Sequence, residues 1–321
     1  MKCRKCSRPA VLNMRQHNLA LCEVHYLEWF VAQTHRAIKK YRMFGPDERV
    51  LVAVSGGKDS LALWDVLLQL GYQADGLYID LGIGNSTGYS AASREKVEQF
   101  AAQRPDAHPV FKVVDLEAEY GETLPEVAQR VRRGHGKPCS VCGLIKRHVM
   151  NRVTRDGGYD VLATGHNLDD EVAVLFGNVL HWQTGYIARQ SPVLPASVAR
   201  SETGHNGGLA RKVKPFCRFY ERETAAYALI TGINYIYDEC PYAVGATSLR
   251  YKEILNRMEE ESPATKLQFY LKFLRARKAG FFCERAEEVE LHPCSNCGQP
   301  TSVSGLCAFC RLWIRTTGAE V

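Results

Sequence analysis

Cysteine is the residue type that first asks for a chemical reading. The 321-residue chain carries 12 cysteines, and ten of them fall in closely spaced sets or in one suggestive loop. Near the start, Cys3-x2-Cys6 is followed after fifteen residues by Cys22-x2-His25. Near the end, Cys294-x2-Cys297 is followed after nine residues by Cys307-x2-Cys310. Four thiolate or imidazole ligands in two such turns make a closed, tetrahedral, structural zinc site. Each end is therefore expected to hold one Zn2+, two in all, stapling a module too small for a core of its own. A disulfide framework belongs to short secreted chains, which this one does not resemble, so the pattern reads as metal ligation in a reducing, cytoplasmic setting.

Three further cysteines sit in the middle. Cys139-Ser140-Val141-Cys142 opens a helical stretch running to about Arg155, and Cys240-Pro241 follows about a hundred residues later. Three thiolates suit a four-iron cluster with one iron left open, a catalytic zinc, or a persulfide relay. On a helix, positions 139, 142 and 146 share one face, so Lys146 projects toward whatever the cysteines hold. Cys217 and Cys283 have no such company and read as buried structural thiols.

A phosphate chemistry is written at Ser55-Gly56-Gly57-Lys58-Asp59-Ser60, directly after the apolar run Val50 to Val54 and at the opening of a helix. Glycines let the backbone curl around phosphate, and a helix N-terminus presents free N–H groups and a positive dipole end. The hydroxyls of Ser55 and Ser60 and the ammonium of Lys58 add donors. Ala53, at the strand end, borders the same ligand. Asp59 is the carboxylate expected to help hold Mg2+ at the phosphates, in competition with a plain first-turn role favoured by the dipole. Neither the Walker motif nor G-x-G-x-x-G is present. The loop resembles the PP-loop of ATP pyrophosphatases, which implies cleavage of ATP to AMP and pyrophosphate. A second strand-to-helix motif, Thr164-Gly165-His166-Asn167-Leu168-Asp169-Asp170-Glu171, faces the same crevice. Gly165 allows close approach of the nucleotide and His166 borders it. The three carboxylates are a helix cap, or one of them is a metal ligand or proton acceptor.

These motifs need a scaffold that brings them together. Between residues 49 and 180, short apolar runs alternate with helical stretches: 50–54, then 60–70; 74–81, then 90–103; 110–116; 160–164, then 168–180. That alternation predicts an α/β fold with a parallel sheet covered on both faces, its ligands beyond the carboxyl ends of the strands. Residues 28–43 predict an amphipathic helix with Arg36, Lys39, Lys40 and Arg42 on its basic side. Residues 183–212, with Pro192, Pro195, Gly204, Gly207 and Gly208 among them and no clear periodicity, predict a lid or a disordered loop. Helical patterns resume at 221–231 and 247–279. The expected division is a zinc module at 1–27, a linker helix at 28–45, a catalytic domain at 46–285 and a second zinc module at 286–321.

Bulk properties set limits. Hydrophobic content is 45% and charged content 24%, as in soluble domains, and no run of about 18 apolar residues suggests a membrane span. The net charge of +6 permits a polyanionic partner. Arg130, Arg132, Arg133, Lys137, Lys146 and Arg147 flank the middle cysteines as a phosphate backbone would require.

Taken together, S-G-G-K-D-S, C-S-V-C-G-L-I-K-R, T-G-H-N-L-D-D-E, E-C-P and the paired knuckles resemble the TtuA family of tRNA 2-thiouridine synthetases over essentially the whole chain. The resemblance implies a Rossmann-like sheet of the PP-loop ATP pyrophosphatase type flanked by two zinc knuckles. It implies a 4Fe-4S cluster on Cys139, Cys142 and Cys240, with sulfide delivered by a thiocarboxylated ubiquitin-like protein. It further implies catalytic roles for Lys146 and Asp170, a homodimer, and a uridine-type base in the tRNA T-loop as substrate. The related TtcA enzymes lack the knuckles; the eukaryotic wobble-uridine thiolases keep them but usually have arginine in place of Lys146. Wobble-uridine thiolation, a PP-loop ligase or amidotransferase acting on a small molecule, and a nonenzymatic zinc-ribbon RNA-binding protein are the competing readings.

Overall fold

The computed structural model describes residues 1–84, 88–107, 109–131, 138–199, 207–282 and 291–314. In the first module a hairpin of β1 (Leu12–Met14) and β2 (Leu19–Leu21) leads into α1 (Glu23–Tyr41). The body then runs β3 (Val50–Ala53), α2 (Lys58–Gln69), β4 (Ala74–Asp80), α3 (Tyr89–Ala102) and β5 (Phe111–Asp115). Next come α4 (Leu116–Tyr120), α5 (Leu124–Arg130), α6 (Pro138–Asp156), β6 (Val161–Thr164) and α7 (Leu168–Leu180). After α8 (Thr184–Arg189), β7 (Val193–Leu194), β8 (Ser197–Ala199), β9 (Gly207–Leu209) and β10 (Arg211–Val213) follow three helices, α9 (Glu221–Ile230), α10 (Thr247–Glu261) and α11 (Thr265–Lys278). The last module pairs β11 (His292–Pro293) with β12 (Pro300–Thr301).

The central sheet has six strands in the order β5-β4-β3-β6-β10-β7. All neighbours are parallel except β10 and β7. From β3 the chain moves one way to β4 and β5 and then returns to β6 on the other side. The carboxyl ends of β3 and β6 therefore flank the crevice where such sheets bind ligands. Alternate residues feed two cores: Val50, Val52, Val161 and Ala163 pack on one face, Leu51 and Leu162 on the other. This is why the strands read as unbroken apolar runs.

Three expectations change. Of the stretch 183–212 expected as a lid or disordered loop, residues 184–189 form α8, and β7 and β10 join the central sheet, while residues 200–206 lie outside the described residues. Two-residue and three-residue strands leave no period to read. The first helix begins at Glu23, not 28, so His25 lies in its opening turn. The stretch 247–279 is two helices, broken at Ser262-Pro263-Ala264, where Pro263 cannot continue the ladder and Ala264 takes φ 77°. Cys283, Arg132, Arg133, Lys137 and the expected boundary at 285 lie outside the described residues.

Candidate active site

At both ends the four ligand atoms gather within 4.8 Å of one another. Sγ of Cys6 and Cys22 are 3.7 Å apart, and Sγ of Cys297 and Cys307 are 3.8 Å apart. A tetrahedron with arms of about 2.3 Å has edges of about 3.8 Å, so both sets have the shape a zinc–thiolate site requires. Burial opposes charge on the Cys3 thiol, but N–H groups of Cys22, Lys5 and Cys6 and the His25 ring bring its pKa down to about 5. The knuckles are docked, not dangling. In the first, Tyr26 donates to Glu223 O at 2.5 Å, and His17 lies 3.1 Å from the Glu223 carboxylate. In the second, Phe309 stacks on His148 of α6 at 3.6 Å and 4°. Gln299 contacts His148 and accepts from Asn151 at 3.0 Å.

The nucleotide loop turns at Gly56, whose φ of 75° and distance of 2.5 Å from a would-be Cβ to Ser93 O exclude any side chain. Ser55 N donates to Ser60 Oγ at 3.1 Å, and Ser60 Oγ donates to Gly57 O at 3.0 Å. Gly57 caps α2, with Lys58 and Asp59 in its first turn. Lys58 Nζ bonds Asp59 at 3.1 Å and Glu221 at 2.8 Å. Asp59 Oδ1 accepts from Asn167 at 3.2 Å and from the Thr224 hydroxyl. Burial raises its pKa, against the pull of Lys58.

The second motif closes on the first. Asn167 caps α7 and forms a capping box with Asp170: each side chain accepts the other's backbone N–H at 3.1 Å. His166 Nδ1 lies 2.8 Å from Thr164 Oγ1. The three consecutive carboxylates point apart, each to its own lysine. Asp169 meets Lys266 at 2.5 Å, Asp170 meets Lys252 at 2.6 Å and Glu171 meets Lys214 at 2.7 Å. The side chains of Asp169 and Glu171 are 5% and 3% exposed, whereas Asp170 is 29% exposed. Of the three, Asp170 alone is open to solvent.

A pocket of about 120 Å³ joins the nucleotide loop to the middle cysteines. Ala53 and Ser55 line it from one side, Tyr89 and Ser93 from α3, and Cys142, Lys146 and Cys240 from the other. Cys139 lies at the rim, its thiol on Tyr242 O at 3.1 Å. Burial raises the Cys142 pKa; Lys146 pulls it down, and Cys240 and Cys139 push it up, so the three sulfurs feel one another. They are nonetheless not gathered within 4.8 Å as the zinc ligands are. A single zinc draws its thiolates together, whereas a four-iron cluster places each on a different iron. The spread donor set fits the cluster better than a catalytic zinc.

Sequence reasoning missed Lys252 and Glu221, which reach the crevice from α10 and α9. Neither lies in a motif; only the fold brings them in. Arg130, expected on the nucleic-acid face, is bound to Glu122 at 2.6 Å and to Leu312 O at 2.7 Å. Arg147 is exposed. Cys217 is fully buried, and burial pushes its pKa up to about 12, as a structural thiol requires.

An α/β sheet with a glycine loop at its switch point and cysteines across the pocket has the architecture of the HUP class. Residues 48–181 match the tRNA methyl transferase HUP domain, and residues 2–27 match the N-terminal LIM domain of 2-thiouridine synthetase TtuA. The chain is 50% identical to the tRNA-5-methyluridine(54) 2-sulfurtransferase of Thermus thermophilus, covering 98% of this chain and 91% of that one. It is 42% identical to the enzyme of the same name from Pyrococcus horikoshii, over 98% and 94%. Cytoplasmic tRNA 2-thiolation protein 1 of Drosophila melanogaster is 30% identical, over 92% and 82%. The fold matches the U34-tRNA thiolase NcsA of Methanococcus maripaludis at a TM-score of 0.73 and 22% identity, over 97% and 95%. The chain belongs to the tRNA-5-methyluridine(54) 2-sulfurtransferase family. It is a sulfurtransferase.

Proposed function

We propose that this chain replaces the C2 oxygen of a uridine-type base in the tRNA T-loop by sulfur, at the expense of ATP. The observation that carries the reading is the shared pocket, which puts Ala53 and Ser55 of the nucleotide loop opposite Cys142, Lys146 and Cys240. Activation at the carbonyl oxygen and sulfur attack at the carbon that bears it must happen on one bound base, and this pocket offers both chemistries within one cavity. Identity of 50% to a relative named for position 54 supports the T-loop over the wobble position.

The base carbonyl oxygen attacks the α-phosphorus of ATP and pyrophosphate leaves. The amides of residues 55–60 and Lys58 stabilise that departure, a problem of position and charge. Sulfur then bonds to C2, the C2–O bond breaks, and AMP carries the oxygen away. Lys146 stabilises charge developing on the base or sulfur. Asp170 accepts the N3 proton or, with Asp59, binds Mg2+, which offsets charge on the phosphates. Cys139, Cys142 and Cys240 would hold a 4Fe-4S cluster, which would supply a site for sulfide beside the activated base. Cys3, Cys6, Cys22 and His25 hold one Zn2+, and Cys294, Cys297, Cys307 and Cys310 a second. The sulfur reaches the site from a thiocarboxylated ubiquitin-like protein, and the enzyme acts as a homodimer. The 1–27, 28–45, 46–285 and 286–321 segments remain our working division. Among the described residues no helix is long and apolar enough to cross a membrane.

The test is anaerobic incubation with unmodified tRNA, ATP and sulfide. AMP formation and a mass gain of one oxygen-to-sulfur exchange at nucleotide 54 are expected. An exchange at nucleotide 34 would favour the wobble reading. AMP formation indifferent to tRNA would favour a small-molecule ligase.

A further inference from the structure

The crevice contains an alternating row of charges: Asp59, Lys58, Glu221, Lys252, Asp170. Lys58 Nζ meets Asp59 at 3.1 Å and Glu221 Oε1 at 2.8 Å; Lys252 Nζ meets Glu221 Oε2 at 3.1 Å and Asp170 at 2.6 Å. One carboxylate thus bridges two ammonium groups, with one oxygen on each. A non-bridging oxygen pair of a phosphate group presents the same pattern of acceptors. Lys58 lies in the first turn of α2, where the amides of the glycine loop already await phosphate. Glu221 occupies the first turn of α9, and its side chain is 39% exposed, against 22% for Lys58 and 19% for Lys252. The cations are therefore the fixed partners and the carboxylate the one with room to leave.

The lysine is also held from behind. Helix α10 packs on α7, with Tyr251 and Phe176 in edge contact at 5.4 Å, and Asp170 at the start of α7 faces Lys252. The backbone of Glu221 is tied by its N–H to Asp169 Oδ2 at 2.8 Å, so only its side chain is at liberty to swing.

We infer that Lys252 is a second phosphate-binding cation of the ATP site, and that Glu221 holds its place and that of Lys58 until ATP displaces it. The inference rests on the proposed ATP-dependent reaction. It gives Lys252 a direct contact with the departing pyrophosphate and gives Glu221 a competing, inhibitory one. It also links the phosphate end of the site to Asp170, since Lys252 touches both.

The test measures the Kd of MgATP by calorimetry on the zinc-loaded full-length protein, with thermal melting to check folding. Lys252→Ala is expected to raise Kd at least tenfold, and Lys252→Arg to stay within about threefold of wild type, because a cation remains. Glu221→Gln is expected to bind ATP several-fold more tightly than wild type, since it removes the competing charge. A Lys252→Ala protein that binds ATP as wild type does would overturn the assignment. So would a Glu221→Gln protein that binds as weakly as Lys252→Ala, which would make the row a structural ion pair or Glu221 a metal ligand. Wild-type protein without ATP binding would overturn the proposed function and this inference together.

Discussion

Gly165 lies against the first turn of α2: a Cβ added to it would stand 2.8 Å from the carbonyl carbon of Asp59. The obstacle is backbone, which cannot turn aside as a flexible side chain can. Gly165→Ala should push the two strand-end motifs apart, at about 1–3 kcal/mol of overpacking. AMP formation is expected to fall more than tenfold while the protein still folds. Measuring the melting temperature beside the rate separates the two effects, and a near-normal rate would mean that the motifs do not act together.

Lys146 reaches the pocket with Cys142 one helical turn behind it. Lys146→Ala is expected to lose thiolation by a factor on the order of 100, the usual loss for one charge-stabilising group. ATP binding should persist. Thiolation undiminished under anaerobic conditions would remove the lysine from the mechanism.

Asp170 closes the capping box of α7 and pairs with Lys252. Asp170→Ala should cost about 1 kcal/mol in stability, the usual value of a cap. Asp170→Asn keeps an acceptor for Asn167 N–H but loses the charge. A normal melting temperature with lost thiolation in the Asn variant is the expected result; equal activity would reduce Asp170 to its cap.

The two knuckles should be separable by metal analysis. Cys307→Ser is expected to lower bound zinc from about two ions per chain to about one. Because Phe309 and Gln299 cover α6, that loss should also loosen the iron-site helix, read as faster hydrogen exchange between residues 141 and 151. Unchanged exchange there would mean that the packing is dispensable.

Burial, followed by the nearby Arg152, lowers the His148 pKa to about 4. An imidazole whose folded pKa lies below its unfolded value of about 6.5 is protonated more readily in the unfolded chain. Its contribution to stability is present above about pH 6.5 and is lost as pH falls toward 4. Urea unfolding at pH 7.5, 5.5 and 4.5 should show that decline. His148→Phe keeps the stack on Phe309 without a titrating group and should flatten part of the slope. An equal slope would assign the decline elsewhere, such as to protonation of the zinc thiolates.

The site is legible in the sequence to the degree that its residues are local. Ser55 to Ser60 and Thr164 to Glu171 are contiguous, follow apolar runs and open helices, so their positions can be read. The same holds for the knuckles, whose spacing is their geometry. Lys252 and Glu221 sit among other charges in ordinary helices, and nothing in their neighbourhood marks them out. Strands β7 and β10 are equally mute. They are two and three residues long, and they are strands because β6 and β10 are neighbours in space. The carboxylates at 169, 170 and 171 look alike in sequence; only the three lysines that meet them tell the exposed one from the buried pair.

The seat of the last knuckle on α6 has a consequence for how the enzyme is made. Phe309 and Gln299 settle on His148 and Asn151, residues synthesised about 150 positions earlier. A ribosome delivers α6 long before the segment that settles on its His148 and Asn151. The helix that carries Cys139 and Cys142 is thus open on that flank until residues 299–309 have been made. With zinc in the knuckle as proposed, a chain starved of zinc would leave that flank of α6 uncovered however far its synthesis had gone.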